Sequence, residues 1–250
     1  MRKYILLVMA IMLVGIFVPS QYLVQADTSL TLKVLTGSDD CLRRLTTSQW
    51  SLTGGTLGVG FFNTSQQRYI VGMRFDNASI PVGGNITSAH LSFQAALSYT
   101  ADNVNSKIDA ELGDDPVTFA DSAVAFDARF ANRGVKVTWD AIADWSAGSK
   151  YESPDISTVI QEVIDQDSWT SGDAIVIFWE DYDDRSTHTG NCYRNCISYE
   201  GSGAEPELHI TYTVPSGPVN VSTVDAVGKA TISTCDNVSW SVVVTLDQIN

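Results

Sequence analysis

The amino-acid sequence predicts an all-β fold, a sandwich or barrel of short strands that carries a single α-helix. Three observations lead there. Along "TSAHLSFQAAL", Thr87, Ala89, Leu91, Phe93, Ala95 and Leu97 share one face while Ser88, His90, Ser92 and Gln94 share the other, the period-two pattern of a half-buried strand. Gly, Asn and Asp turns interrupt many such runs, as they do in sandwiches and barrels. Helical spacing stands out at one place, "SPDISTVIQEVI", and it leads into "DAIVIFW", which is apolar on both alternating faces.

The elements follow in order. Residues 30–35 read as a first strand, closed by the turn Gly37-Ser38-Asp39-Asp40, and Thr53-Gly54-Gly55 makes another turn. "GVGFF" and "RYIVGMRF" are strand-like, and "IPVGGN" is a loop that feeds the long alternating strand. "KIDAEL" places Ile108, Ala110 and Leu112 inward with Asp109 and Glu111 outward, and "VKVTW" is a further strand. The helix has Ser153 to cap it, Pro154 in the first turn and Asp155 at the positive end of the dipole. Ile156, Val159, Ile160, Val163 and Ile164 then form one apolar stripe, and Gly172 lies past the end. The doubly apolar "DAIVIFW" needs cover on both sides; the expectation is the helix stripe on one face and an opposing sheet on the other. "CISYE" and "ELHITYT" complete the strands, residues 214–218 read as a Pro/Gly linker, and residues 219–250 look like strands again. That tail is too short for an ordinary independent domain. It is the start of a second β domain, Ig-like among the options, or a terminal strand pair.

Compartment and partners come from the ends and the charge. A basic start, an apolar run over residues 4–18 and the small residues before Asp27 make residues 1–26 a secretory signal peptide. An uncleaved anchor is the alternative, although the run is shorter than the ~20 residues of a membrane span. The chain is therefore expected to be secreted, extracellular or at the cell surface, with no membrane contact after cleavage. The formal charge of −14 includes Arg2 and Lys3, so removing those two positives leaves −16. Such acidity opposes binding to nucleic acid or anionic lipid. A hydrophobic share of 44% is ample for a core.

The chemistry-bearing stretches are few. "WEDYDDRSTHTGNCYRNC" gathers Glu180, Asp181, Asp183 and Asp184, and Asp39-Asp40 is a second acidic pair. Calcium takes six to eight oxygens and could use either set, which otherwise would be solvated acids with Arg185 and Arg194 nearby. Trp50, Trp145, Tyr151, Tyr182 and Tyr193 fall outside clear core patterns and are candidates for a sugar-stacking platform, whereas Trp139, Trp169 and Trp179 fit the core. Catalysis has little support: His90, His188 and His209 form no triad pattern, and the sequence contains no phosphate loop, dinucleotide fingerprint or nucleophile elbow. Cys41, Cys192, Cys196 and Cys235 lack zinc-ligand spacing, and exported cysteines usually pair. Asn63, Asn77, Asn85, Asn220 and Asn237 begin N-x-S/T sequons.

Three ordered blocks, "YIVGMRFDNASIPVGGNITSAHLSFQA", "SPDISTVIQEVIDQDSWTSGDAIVIF" and "RNCISYEGSGAEPELHITY", resemble a β-sandwich domain of secreted bacterial and archaeal multidomain proteins. That domain is jelly-roll-like and similar to carbohydrate-binding modules, including the alginate-binding family-96 modules. The resemblance spans residues 30–213. It implies scaffold roles for Gly72, Arg74, Phe75, Pro81, Gly84, Pro154, Asp155, Trp169 and Gly172. Asp39-Asp40, Arg194 and Ser198-Tyr199 match an acidic pair, an Arg and a Ser-Tyr pair of the family. The chain departs from it at Cys41-Leu42-Arg43-Arg44 and in the inserted "EDYDDRSTHTGNCY". The match also implies that Cys196 lies beside the turn bearing Cys41, hence a Cys41–Cys196 or Cys41–Cys192 disulfide, with a local Cys192–Cys196 bridge as the rival.

The expectation is then a jelly-roll-like β-sandwich over residues 27–213 with one packed helix and a short C-terminal β segment. Its function would be non-catalytic binding of polysaccharide or another extracellular glycan, with Arg194 and the named aromatics in the site and Ca2+ as a structural ion. A structural module within a larger surface protein is the alternative, and a polysaccharide-degrading enzyme the weaker one.

Overall fold

A computed structural model describes residues 26–44, 49–62, 68–100, 103–181, 183, 185–187 and 192–214, and the backbone of 221–224 and 230–232. In chain order the strands are β1 (Thr28–Lys33), β2 (Asp40–Arg44), β3 (Trp50–Ser51), β4 (Thr56–Phe61), β5 (Tyr69–Phe75), β6 (Asn85–Gln94) and β7 (Ser106–Glu111). Helix α1 (Ala123–Phe130), β8 (Arg133–Trp139), β9 (Lys150–Glu152), α2 (Ser157–Ile164) and β10 (Ile175–Asp181) follow. Last come β11 (Cys192–Ile197), β12 (Glu207–Thr213), β13 (Val221–Val224) and β14 (Ala230–Ile232). A four-stranded sheet β1-β12-β6-β9 faces a six-stranded sheet β3-β2-β5-β10-β7-β8; β11 pairs with β4, and β13 with β14. All these pairings are antiparallel, which makes the architecture all-β and sandwich-like. Residues 1–25 of the expected signal peptide (1–26) and residues 215–218 of the expected linker (214–218) lie outside the described residues.

Alternation builds the core. Leu32, Ala89, Leu91, Phe93, Leu208 and Ile210 from one sheet meet Val71, Met73, Phe75, Ile108, Ile175, Ile177 and Trp179 from the other. The alternating strand keeps its predicted face from Ala89 to Ala95, but not at its ends. The pairing with β12 slips between Thr211 and Tyr212, so Tyr212 faces Ile86 and Thr211 faces Ser88. Thr87 is the extra residue of this bulge, and Ile86 takes the inward place. Leu97, beyond the strand end, is 52% exposed.

The doubly apolar β10 is covered on both faces, though not as expected. Ile175, Ile177 and Trp179 enter the inter-sheet core, while Val176 and Phe178 join Cys41, Ile70, Phe119 and Phe126 on the outer face. The cover there is α1, a second helix that the single-helix expectation missed. Ser122 caps it by accepting the Ala125 N–H, and Phe126 sets its ring 5.5 Å from Phe178 and 5.2 Å from Trp50. Arg43 clamps its Asp127 with two 2.9 Å bonds. Only Phe126 and Phe130 mark an apolar stripe in this eight-residue helix, too little for periodicity to reveal.

Helix α2 instead packs on β6, β7 and β8, and buries Val159, Ile160, Val163 and Ile164 in the inter-sheet core. Its start is also corrected. Ser153 Oγ accepts the Leu91 N–H, and Asp155 is the side chain that receives the Ser157 N–H, as well as that of Ala89. Pro154 therefore precedes the helix, whose cap position is Ile156.

The disulfide expectation is overturned. No bridge joins Cys41, Cys192 and Cys196. Cys41 points to the outer cluster under α1, whereas Cys192 and Cys196 face the inter-sheet core, so the sheet separates them. Cys192 and Cys196 share one face of the regular strand β11, about 13 Å apart at ~3.3 Å per residue. A disulfide needs Cα atoms within about 7 Å. Cys235 lies outside the described residues.

Both ends of the sandwich-like body leave from the same side. Thr28 opposes Tyr212, and Asn85 opposes Thr213. At the opposite end β7 begins at Ser106, paired on one side with β10, which finishes at Asp181, and on the other with β8, which finishes at Trp139.

Candidate functional site

That far end carries a pocket of about 310 Å³ lined by Thr100, Asn103, Ala141, Ile142, Ala143, Asp144 and Arg194. Its floor is built by Arg194, which is 1% exposed on β11. The guanidinium donates from Nε to Ala143 O (2.7 Å), from one terminal nitrogen to Tyr193 O (2.9 Å) and from the other to Ile142 O (2.8 Å), with Asp144 Oδ1 at 3.4 Å. Burial pulls its pKa down and the Asp144 carboxylate opposes that. Arg194 thus fixes the 142–144 loop as a positioning residue and contributes the wall's positive charge.

The rest of the rim is held by side chains of neighbouring loops. Ala141 sits at φ 49, a left-handed backbone that a non-glycine residue adopts only when its surroundings hold it there. Its N–H donates to Asn105 Oδ1 at 2.9 Å, and Asn105 Nδ2 in turn donates to Arg185 O at 2.8 Å. Arg185 pairs with Asp140 at 2.6 Å, and Thr187 N–H and Cys192 Sγ both bind Asn103 O. Residues 185–187 after β10 therefore help to hold the pocket rim.

The candidate aromatics do not form one platform. Trp145 is 1% exposed, stacked on Tyr151 at 4.9 Å and 7° and packed near Phe93, Trp139 and Trp179. Tyr151 is half-buried, and its hydroxyl accepts the Ser146 N–H. Tyr193 is buried with Tyr69 and Tyr99, and burial pushes its phenol pKa well up. A Cβ on Gly58 would come within 2.5 Å of the Tyr193 hydroxyl, and Gly60 sits at φ 98 against Cys192 O, which accounts for both glycines of "GVGFF". Trp50 lies under α1 and donates to Asp121 at 3.0 Å. Tyr182 lies outside the described residues. These rings found one another or the core, because flat apolar area is buried wherever neighbours can cover it.

Four of the acids expected to hold calcium are individually engaged. Asp39 pairs with Arg74 at 3.2 Å, and Asp40 accepts the Tyr199 N–H at 2.8 Å. Glu180 pairs with Lys107 (2.8 Å) and Arg133 (2.6 Å); Asp181 pairs with Arg68 (2.9 Å) and accepts the Ser186 hydroxyl (2.5 Å). Asp183 is exposed in a turn, and Asp184 lies outside the described residues. Among the described residues no group of three or more His, Cys, Asp or Glu side chains could hold a metal ion, and Asp39, Glu180 and Asp181 meet Arg and Lys partners instead. The alternation that made a strand also turned these acids toward different partners.

His90 and His209 stack at 4.9 Å and 6° on the outer face of the four-stranded sheet, away from the pocket. Of the pocket residues, only Arg194 was legible beforehand. Thr100, Asn103 and Asp144 are single polar residues in loops, and nothing in their spacing marks them.

No family model matches this chain, and no curated protein matches it.

Proposed function

We propose that this chain is an exported, non-catalytic binding module of jelly-roll type that recognises polysaccharide. The observation that carries this reading is the pocket at the end opposite the chain's entry and exit, lined by Arg194, Asp144, Asn103 and Thr100. Sugar hydroxyls both donate and accept, and a lining with a carboxylate, an amide, a hydroxyl and a guanidinium edge offers both kinds of partner. A site facing away from the points of attachment suits a module within a longer extracellular chain. The resemblance in three sequence blocks supports the same class, as an analogy of fold.

Affinity electrophoresis through gels containing neutral and uronic-acid polysaccharides tests it. Retardation by at least one polymer, lost in Asp144→Ala, is the expected result. Unretarded migration in every gel, with the chain retained on cells or self-assembled, would favour the structural-module reading. Release of reducing ends from the same polymers would favour the enzyme.

A further inference from the structure

Five of the eleven asparagines in this chain begin an N-x-S/T sequon. Ser and Thr make up about a fifth of the residues, so chance placement gives about two. Two of the five, Asn77-Ala78-Ser79 and Asn85-Ile86-Thr87, fall within the described residues, and both flank the same loop between β5 and β6.

Both asparagines are exposed at this loop. The loop itself is tied down from below: Ala78 N–H donates to Asp173 O (3.0 Å), Trp169 Nε1 to Ile80 O (3.0 Å) and the Tyr212 hydroxyl to Ser79 O (3.2 Å). Asn77 stands at φ 57, a conformation that asparagine tolerates better than most residues. That accounts in part for its identity. Asn85 has no such reason: it opens a strand, where asparagine is depleted, and opposes Thr213 where the chain leaves the sandwich. The pocket lies past the other end of β6, whose far end is about 30 Å from Asn85 at ~3.3 Å per residue. A bulky hydrated chain at Asn77 or Asn85 would cover the attachment end and leave the pocket open.

We propose that Asn77 and Asn85 are acceptors for N-linked oligosaccharide, forming a pair of modified side chains at the attachment end. In the transfer, the Asn Nδ2 forms a bond to C1 of the first sugar of a lipid-diphosphate-linked oligosaccharide. The bond from C1 to the phosphate oxygen breaks, its electron pair leaves with the lipid diphosphate, and the amide proton passes to a base of the transferase. The proposal rests on the export reading, because the transferase and its donor act on chains that cross a membrane.

Peptide mass spectrometry on the protein recovered from its own source tests it. The expected result is a sugar mass increment on the peptides containing Asn77 and Asn85. Ser79→Ala removes the first increment while leaving Asn77 in place, and Asn85→Gln removes the second. Either peptide appearing solely at its unmodified mass in exported protein would overturn the pairing while leaving the export reading intact. If the protein remains inside the cell, the export reading fails. The same chain behind a heterologous leader, in a cell with an oligosaccharide transferase, then decides the acceptors alone, and unmodified peptides there overturn them.

Discussion

Asp40 accepts the Tyr199 N–H at 2.8 Å from a site only 1% exposed, which ties the start of β2 to the turn after β11. Burial pushes its pKa up from 3.8 to about 7, with a smaller push from Glu200 and Asp39, against the pull of that hydrogen bond. Between about pH 4 and pH 7 the folded chain therefore holds a proton here that the unfolded chain has lost. Stability contributed by that proton is complete below pH 4 and is lost as pH rises through 7, by up to about 4 kcal/mol. Asp40→Asn keeps the acceptor and removes the charge. Urea unfolding should show the variant more stable than the parent at pH 8 and little different at pH 4; equal midpoints at pH 8 would refute this.

Arg194→Lys keeps the charge but loses the fork that holds Tyr193, Ile142 and Ala143 carbonyls together. A loss on the order of 1–3 kcal/mol is expected from the carbonyls left without a donor, read as a lower denaturation midpoint. Asp144 has a side chain 63% exposed, so Asp144→Ala should stay within about 0.5 kcal/mol of the parent. That contrast separates the residue that builds the pocket from one that only faces into it.

Phe126 is the keystone of the outer cluster, ringed by Trp50, Phe119, Phe130 and Phe178. Phe126→Ala should cost about 3–5 kcal/mol by leaving a cavity between α1 and the sheet. Val124, 80% exposed on the same helix, should tolerate Ser within about 0.5 kcal/mol. Gly72 lies beneath the cluster, where a Cβ would meet Phe119 at 2.7 Å and Cys41 Sγ at 2.8 Å. Gly72→Ala should therefore destabilise by about 1–3 kcal/mol. Melting temperatures of the three variants rank the effects directly.

Burial raises the Cys41 and Cys196 thiol pKa values well above their ordinary range, and both cysteines are free. Neither should react with a maleimide in the native protein at pH 7, and both should label in denaturant without prior reduction. Native labelling, or a requirement for reductant, would contradict the burial and the unpaired state respectively.

Much of the scaffold was legible because strand alternation is a local, repeated signal. Ala89, Leu91, Phe93 and Ala95 faced inward as their spacing required, and the doubly apolar run at Ile175 to Trp179 correctly demanded cover on both sides. The capping assignment failed because Ser153 had a better partner across the sheet in Leu91, which lies far away in sequence. The expected aromatics and acids met separate partners for a related reason. Spacing says which side chains share a face, but not which neighbour that face will meet.

The chain's own residue order determined an all-β framework, one strongly amphipathic helix and a buried central strand, because each arises from periodicities between residues a few places apart. Tertiary structure alone decided that α1 roofs the outer face, that Cys41 and Cys196 lie on opposite sides of a sheet, and that Arg194 gathers the carbonyls of residues 142–143 into a pocket. Those outcomes depend on which distant segments pack together, and burial of apolar area, being non-directional, leaves no short-range mark of its choice.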